Sequence, residues 1–174
     1  MNAMGDRTSA QPQDAGAELA KILSFRLGAE EYGVDVLKVQ EIKGWDTVTR
    51  VPYAPRWVLG VINLRGSIVP IIDLRVRFSF AQAPFDSTTV IIVVRVPGAR
   101  GERTVGVVVD AVTEVYDIAT TDIRPVPDLG GGAQAAFLQG IADRDDKLVM
   151  LLDIDRLVNS SIAGEAGGDR RAAA

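Results

Sequence analysis

Histidine and cysteine are both absent from the 174-residue sequence. Their absence removes the commonest general base, the thiol nucleophile and the softer metal ligands, so most familiar catalytic arrangements are excluded. It also excludes a disulfide framework. Hydrolysis by paired carboxylates, or a magnesium site built from Asp and Glu, remains chemically possible. The composition therefore disfavours an enzyme.

Long apolar runs are missing as well. Runs such as Val90–Val94 end at a charge or a proline. None of them reaches the roughly 18 apolar residues that a membrane-spanning helix needs. The N-terminal segment MNAMGDRTSAQPQDAGAE also lacks the apolar centre of a secretory signal. We therefore expect a cytoplasmic protein that does not insert directly into a membrane.

Positive charge is in deficit, since 19 Lys and Arg face 23 Asp and Glu, for a net charge of −4. This balance argues against a general affinity for nucleic acid or anionic lipid. The hydrophobic fraction of 47% is nevertheless typical of a folded globular protein. Both ends are polar or rich in Gly and Ala. We expect a flexible N-terminal tail at 1–16, one folded domain at 17–163 and a flexible C-terminal tail at 164–174.

The body of the chain is rich in Val and Ile and predicts a mainly β protein. Strand-length runs occur at Ile22–Leu27, Tyr32–Val36, Ile68–Leu74, Val90–Val96, Val105–Val109 and Leu148–Ile154. Turn-forming residues at 28–31, 63–66, 97–101 and 144–147 indicate hairpins between neighbouring strands. After Val36 the apolar spacing changes from two to three, which predicts either a short helical turn or a bulged strand.

Two pairs of segments are similar to each other within the chain. YGVDVLKVQEI at 32–42 matches VGVVVDAVTEV at 105–115, and GVINLRGSIVPIIDL at 60–74 matches GIADRDDKLVMLLDI at 140–154. The order and similar spacing favour a duplicated unit of roughly 70 to 80 residues, although chance similarity between valine-rich strands is the alternative. Closure of about five short strands into a small barrel removes exposed strand edges. We predict two small five-stranded β-barrels packed side by side, with short helical turns.

Arg65 lies in an otherwise apolar stretch, at the predicted hairpin tip Asn63–Gly66. An unpaired guanidinium in a barrel interior costs several kcal/mol, so Arg65 is predicted to be exposed or paired. It is either an ordinary solvated turn residue or the partner of Glu41, which would orient its donors toward a docking protein. The surrounding region is locally basic and is suited to steering an acidic partner. Its cations are Lys43, Arg50, Arg56, Arg65, Arg75 and Arg77.

Other candidate residues have simpler interpretations. Asp73 and Asp153 end two matched strands, and we interpret them as turn residues rather than as catalytic carboxylates. Val39, Ile42, Val112 and Val115 occupy matched positions, where core packing is the default. The alternative for these aliphatic residues is a groove between the barrels that receives an amphipathic helix.

From Leu19 to Ser160 the chain resembles the CheW-like domain family of bacterial chemotaxis. The resemblance is carried by EEYGVDVLKVQEI, GVINLRGSIVPIIDLR, VGVVVDAVTEV and IRPVP at 123–127, in the order and spacing of the family. It implies two intertwined five-stranded barrels, no catalysis and no cofactor. Members of the family are adaptors that couple transmembrane chemoreceptors to the histidine kinase CheA.

The resemblance also implies partners and site residues. The receptor's cytoplasmic hairpin tip is expected in the groove between the barrels, on Arg65, Glu41, Val39, Gly60, Val112 and Val115. The kinase's regulatory domain is itself similar to this family and is expected to contact Asp46, Thr47, Val48 and Arg50. Further copies of the chain are expected to complete rings in membrane-bound receptor arrays, where the protein would be recruited.

Two alternatives from other functional classes remain. A small-barrel nucleic-acid-binding protein needs a basic groove with exposed aromatic residues, whereas aromatic residues make up only 6% of this acidic chain. A carboxylate-based hydrolase needs two acids that converge in one cleft. The adaptor is the function that the sequence favours.

Overall fold

Ten strands and two α-helices form within residues 18–81, 84–128, 130 and 133–163, the part of the chain that the computed structural model describes. The predicted tails at 1–16 and 164–174 lie outside these residues. The strands are β1 (Leu19–Leu27), β2 (Glu30–Asp35), β3 (Val39–Gly44), β4 (Val58–Leu64), β5 (Ser67–Asp73), β6 (Val90–Gly98), β7 (Gly101–Val109), β8 (Ala111–Ala119), β9 (Leu138–Arg144) and β10 (Lys147–Leu152). The helices are α1 (Leu74–Arg77) and α2 (Ile154–Ala163), and 3-10 turns occupy Val36–Lys38, Thr120–Asp122 and Ala133–Phe137.

The prediction of a mainly β fold is confirmed. The six predicted strands correspond to β1, β2, β5, β6, β7 and β10, and each predicted reversal joins an antiparallel pair. The strands without a clear sequence signal are β3, β4, β8 and β9, which lie at the ends of the two sheets. End strands have more exposed side chains, so polar residues interrupt their apolar pattern.

Both interpretations of the segment after Val36 are partly correct. A single 3-10 turn covers Val36–Lys38, where Asp35 Oδ1 accepts the Leu37 N–H at 2.9 Å. This local bond ends the preceding strand at Asp35, one residue earlier than predicted. Val39 and Ile42 do not continue the turn, because they belong to β3, whose register against β6 shifts between Val39 and Glu41. The shift marks a β-bulge.

The two sheets have equivalent strand orders, as an internal duplication predicts. One sheet has the order β8-β1-β2-β10-β9, and the other has the order β3-β6-β7-β5-β4. In both, an antiparallel hairpin is extended by one parallel pair, β2 with β10 and β7 with β5. Each sheet therefore combines the first two strands of one repeat with the last three strands of the other. The two repeats are intertwined through this exchange.

Each sheet curls until its two ends meet at one isolated bridge. Beyond β3, Thr49 exchanges two backbone hydrogen bonds with Val61 of β4, at 2.8 and 2.9 Å. Beyond β8, Arg124 makes the equivalent pair with Ile141 of β9, both at 2.9 Å. The strand ladders themselves remain open, so these bridges give each sheet its barrel-like form.

Glycines permit the close approach at both bridges. Gly60 of β4 has a φ of +150°, and a β-carbon there would overlap the carbonyl oxygen of Thr49. At the equivalent Gly140 of β9, a β-carbon would lie 2.8 Å from the carbonyl oxygen of Arg124. Gly60 and Gly140, which match in the sequence repeats, therefore both allow an end strand to approach the backbone of the segment that it bridges.

The core has three parts. A central cluster between the sheets includes the fully buried Phe25, Leu74, Val94 and Leu157. Smaller clusters lie around Ile22, Tyr116 and Leu151 in one sheet and around Ile62, Ile71 and Ile91 in the other. Helix α2 contributes Leu157 and Val158 to the central cluster, so the C-terminal helix helps to join the two halves. Among the described residues, no helix is long and apolar enough to span a membrane.

Candidate functional site

The hairpin tip between β4 and β5 presents Arg65 at the surface. Arg65 and Gly66 both have positive φ, at 52° and 87°, the geometry of a tight two-residue hairpin turn. Asn63 Oδ1 accepts the Gly66 N–H at 2.9 Å and fixes the turn from within. Glycine adopts a positive φ without strain, whereas Arg65 adopts this unusual conformation with a side chain. The turn therefore sets the direction in which the guanidinium leaves the strand.

Arg65 is paired with Glu41, which is one of the two alternatives that the sequence left open. Arg65 Nη2 donates to Glu41 Oε2 at 3.0 Å, and the arginine side chain is 75% exposed against 23% for the glutamate. Glu41 lies on β3 and Arg65 follows β4, so curling of the sheet brings the two residues together. An exposed pair stabilises the fold by only about 0–1 kcal/mol, so its effect is to orient the guanidinium.

Glu41 has a further polar atom at this site. Its Oε1 oxygen is buried and accepts no hydrogen bond from the part of the chain that the structure describes. The carboxylate thus holds Arg65 through one oxygen while the other faces inward. A buried acceptor without a hydrogen bond destabilises the fold, because it has lost its contact with water.

The remaining predicted receptor-binding residues occupy three kinds of position. Val39 and Val112 are half-buried and pack against the central cluster, in agreement with the core interpretation. Val115 is 53% exposed, on β8 of the other sheet. Gly60 is buried at the bridge to Thr49, where it shapes the sheet. The structure thus joins Glu41 and Arg65 directly and distributes the other four over both sheets.

The predicted kinase-binding residues lie in the connection between β3 and β4. Asp46 is exposed, 3.7 Å from Lys43 Nζ, and its side chain accepts the Thr47 N–H at 2.7 Å. Thr47, Val48 and Arg50 line a cleft of about 620 Å³. Three of these four residues therefore share one concave surface.

The predicted basic surface is smaller than the sequence indicated. Arg75 is buried and donates to both carboxylate oxygens of Asp73 at 3.2 Å. Arg77 lies against aromatic rings, with its guanidinium carbon 4.5 Å from the centroid of Trp57 and 4.9 Å from that of Phe137. Arg75 therefore belongs to the interior, and Arg77 is half-buried against the aromatic rings. The exposed arginines in this region are Arg50, Arg56 and Arg65.

Asp73 and Asp153 act as turn residues, as predicted. Asp73 Oδ1 accepts the Arg75 N–H at 2.9 Å at the start of α1, and Asp153 Oδ1 accepts the Arg156 N–H at 3.1 Å at the start of α2. Asp73 lines the cleft, and Asp153 is not among its lining residues. The two carboxylates therefore do not converge as a hydrolase would require. Within the described residues, no group of three acidic side chains is placed to hold a metal ion.

The cleft includes an aromatic residue that sequence reasoning missed. Phe85 lies between α1 and β6, and its ring stacks on that of Trp45 with centroids 3.9 Å apart and planes 9° from parallel. The guanidinium of Arg75 lies 4.7 Å from the Phe85 ring centroid. The local sequence around Phe85 carries no strand or helix pattern, so only the folded chain reveals the contact.

Comparisons with known proteins agree with this architecture. The CheW-like domain family matches residues 21–161. Chemotaxis protein CheW of Klebsiella aerogenes is 44% identical over 140 residues, covering 80% of this chain and 82% of that protein. Chemotaxis protein CheW of Rhizobium meliloti is 36% identical, covering 80% of this chain and 88% of that protein.

A solved structure shares the fold. The scaffolding protein TtCheW of Thermoanaerobacter tengcongensis superposes with a TM-score of 0.73 at 34% identity, covering 84% of this chain and 92% of that one. The family match extends over most of the described residues and includes both repeats. Sequence, strand order and relatives agree that this chain belongs to the CheW-like domain family.

Proposed function

We propose that this chain is a non-catalytic adaptor that couples transmembrane chemoreceptors to the histidine kinase CheA, and that it requires no cofactor. The observation that supports this most is the exposed Arg65–Glu41 pair, held in a fixed direction at a hairpin tip. The relatives are named chemotaxis proteins, and one solved neighbour is named a scaffolding protein. A scaffold acts through surfaces that bind proteins, and this pair is such a surface.

In this proposal the receptor's helical hairpin tip contacts Arg65 and Glu41, with Val39, Gly60, Val112 and Val115 forming or shaping the rest of the surface. The kinase's regulatory domain contacts the segment that contains Asp46, Thr47, Val48 and Arg50. Other copies of the chain join the same arrays through barrel contacts. The protein works in the cytoplasm at membrane-bound receptor arrays.

Coupling needs more than simultaneous attachment. An adaptor changes kinase output only when it binds the active and inactive arrangements with different affinity. Individual contacts can be weak, because repeated attachment within an array raises the effective concentration of each partner. Within such an array, an exposed pair such as Arg65–Glu41 orients the bound receptor even when its own contact is weak.

Replacing Arg65 by glutamate tests the receptor surface. The change places two carboxylates together at the hairpin tip, so we expect at least about tenfold weaker capture of the receptor's cytoplasmic fragment. The free energy of unfolding should change by no more than about 1 kcal/mol, because the pair is exposed. Capture is measured by pull-down and stability by urea denaturation.

The matched control is Arg100→Glu, which reverses an exposed arginine at the turn between β6 and β7. It should leave receptor capture unchanged. Receptor capture by R65E at the level of the original protein would refute the role assigned to Arg65. Equal losses in both variants would instead indicate a general effect of net charge.

A further inference from the structure

Arg77 of α1 contacts one aromatic ring from each half of the molecule. Its guanidinium carbon lies 4.5 Å from the centroid of Trp57 and 4.9 Å from that of Phe137. Trp57 precedes β4, which belongs to the same sheet as β3 and the Arg65 hairpin, whereas Phe137 precedes β9 in the other sheet. A guanidinium is attracted to the negative face of an aromatic ring. Arg77 therefore forms a bridge between the two sheets.

The two rings occupy equivalent positions in the repeats. The carbonyl oxygen of Trp57 accepts the Asp73 N–H at 2.7 Å. The carbonyl oxygen of Phe137 accepts the Asp153 N–H, also at 2.7 Å. Since Asp73 and Asp153 match in the sequence repeats, the two rings are counterparts in the duplicated unit. One guanidinium thus contacts the same structural position of both repeats.

The arginine at this bridge occurs in only one of the two repeats. Arg77 follows Asp73 by four residues, and the residue that follows Asp153 by the same number is Leu157. Leu157 lies in α2 and is fully buried in the central cluster. The equivalent position thus contributes apolar packing in one repeat and a half-buried cation in the other. Apolar packing alone is therefore compatible with this position of the fold.

Hydrogen bonds to α2 fix the guanidinium and one of the rings. Arg77 Nε donates to Ser161 Oγ at 2.9 Å, and Arg77 Nη2 lies 3.5 Å from Ser160 Oγ. The Trp57 Nε1–H donates to the carbonyl oxygen of Ser161 at 2.9 Å. That oxygen is in the last turn of α2, where carbonyl groups have no partner within the helix. Both side chains of the first sheet's half are thus bound to the helix that follows the other sheet.

These contacts depend on direction, unlike those of the central cluster. The hydrophobic effect is non-directional, so apolar side chains hold the sheets together while restraining the angle between them less strictly. Hydrogen bonds require a narrow range of distances and angles, and the guanidinium donates from a rigid planar group. A change in the angle between the sheets would break the bonds to Ser161.

The residues assigned to the receptor surface lie on both sheets. Glu41 and Arg65 belong to one sheet, and Val112 and Val115 lie on β8 of the other. The distance between the two parts of this surface therefore depends on how the sheets are oriented. The segment assigned to the kinase, 46–50, lies between two strands of one sheet and does not depend on that orientation.

We propose that Arg77 is a positioning residue for receptor binding, because it fixes the orientation of the two sheets and with it the distance between Arg65 and Val115. The role in receptor binding rests on the proposed adaptor function. The orientation of the sheets is measured without the receptor, so the two claims are tested separately.

The variant Arg77→Leu tests the bridge, since it gives both repeats the same apolar residue. The chain has no cysteine, so Glu102→Cys and Asp117→Cys place two spin labels at exposed positions of β7 and β8, one in each sheet. Double electron–electron resonance gives the distribution of distances between the labels. We expect R77L to broaden or shift this distribution in the absence of any partner.

Receptor capture and kinase binding are measured on the same variant without the labels. We expect R77L to capture the receptor's cytoplasmic fragment about threefold or more weakly, because the arrangement that binds becomes a smaller fraction of the population. Affinity for the purified regulatory domain of the kinase should stay unchanged. Arg77→Lys keeps a cation beside the rings and should restore part of the receptor capture.

The matched control is Arg156→Leu, which makes the same change of charge in α2. Arg156 is exposed, and its Nη1 donates to the Ala136 carbonyl at 3.0 Å, a contact between the helix and the turn that flank the same sheet. It should leave the distance distribution and receptor capture unchanged. Ser161→Ala removes only the hydroxyl that accepts from Arg77 and should broaden the distribution in the same direction as R77L. It decides the result if R77L does not fold.

The outcomes separate the bridge from the adaptor function. An unchanged distance distribution in R77L, or in S161A where R77L does not fold, overturns the bridge. Equal broadening in R156L also overturns it, because the effect would not depend on contacts between the sheets. A broader distribution with undiminished receptor capture overturns the positioning role alone. Failure of the original chain to capture the receptor fragment overturns the proposed function, while the label distances still test the bridge.

Discussion

Alanine at Gly60 is expected to lower the free energy of unfolding by about 3 kcal/mol or more. A β-carbon at this position would overlap the carbonyl oxygen of Thr49, and the φ of +150° is one that residues with a side chain rarely adopt. The obstacle is backbone, so no side-chain rotation relieves it. Relief requires opening the bridge between Thr49 and Val61, which joins the two ends of the sheet.

Gly44→Ala is the matched control. Gly44 also lies in an end strand of the same sheet, but a β-carbon there would have no neighbour within 4 Å. We expect a change within about 0.5 kcal/mol. Urea denaturation followed by circular dichroism measures both variants. A G60A protein as stable as G44A would show that the bridge does not require glycine.

The same experiment decides how Gly60 contributes to receptor binding. If G60A is strongly destabilised, weaker receptor capture follows from a distorted sheet, because Gly60 is buried and shapes the approach of β4 to Thr49. If G60A keeps the original stability and still loses receptor capture, Gly60 lies in the interface itself. The stability measurement therefore has to precede the binding measurement.

Asp73→Ala is expected to lower the free energy of unfolding by about 3–5 kcal/mol. The side chains of Asp73 and Arg75 are each 4% exposed, and the carboxylate binds the guanidinium through both oxygens. The substitution removes the carboxylate that binds the buried guanidinium of Arg75 through two hydrogen bonds. Asp110 stays in contact with that guanidinium at 3.4 Å. The substitution also removes the acceptor for the Arg75 N–H at the start of α1.

The equivalent residue of the other repeat supplies the control. Asp153 accepts a backbone N–H at the start of α2. Within the described chain, the ion pairs to acidic residues do not include Asp153. Asp153→Ala should therefore cost only about 1 kcal/mol, the usual effect of losing a helix cap. Similar losses for D73A and D153A, measured by the same denaturation, would contradict a special contribution from the buried ion pair.

The sequence located the strands that are buried on both faces. β6 and β7 lie inside their sheet and contain the apolar runs Val90–Val94 and Val105–Val109, which are recognisable without a structure. Turn residues located the hairpins, including the tip that presents Arg65. The cost of burying a guanidinium was enough to predict that Arg65 is exposed or paired. Matched glycines and acidic residues indicated the duplication.

The tertiary structure decided which residues from distant parts of the sequence contact one another. The repeats do not form one barrel each, since each sheet takes strands from both repeats. Arg75 and Arg77 look like surface cations in the sequence, but Arg75 is buried against an aspartate and Arg77 is half-buried against aromatic rings. Phe85 reaches Trp45 only because the loop before β6 folds back on the connection after β3. Local sequence determines strand and turn preferences, whereas these contacts depend on packing between distant segments, which local patterns do not encode.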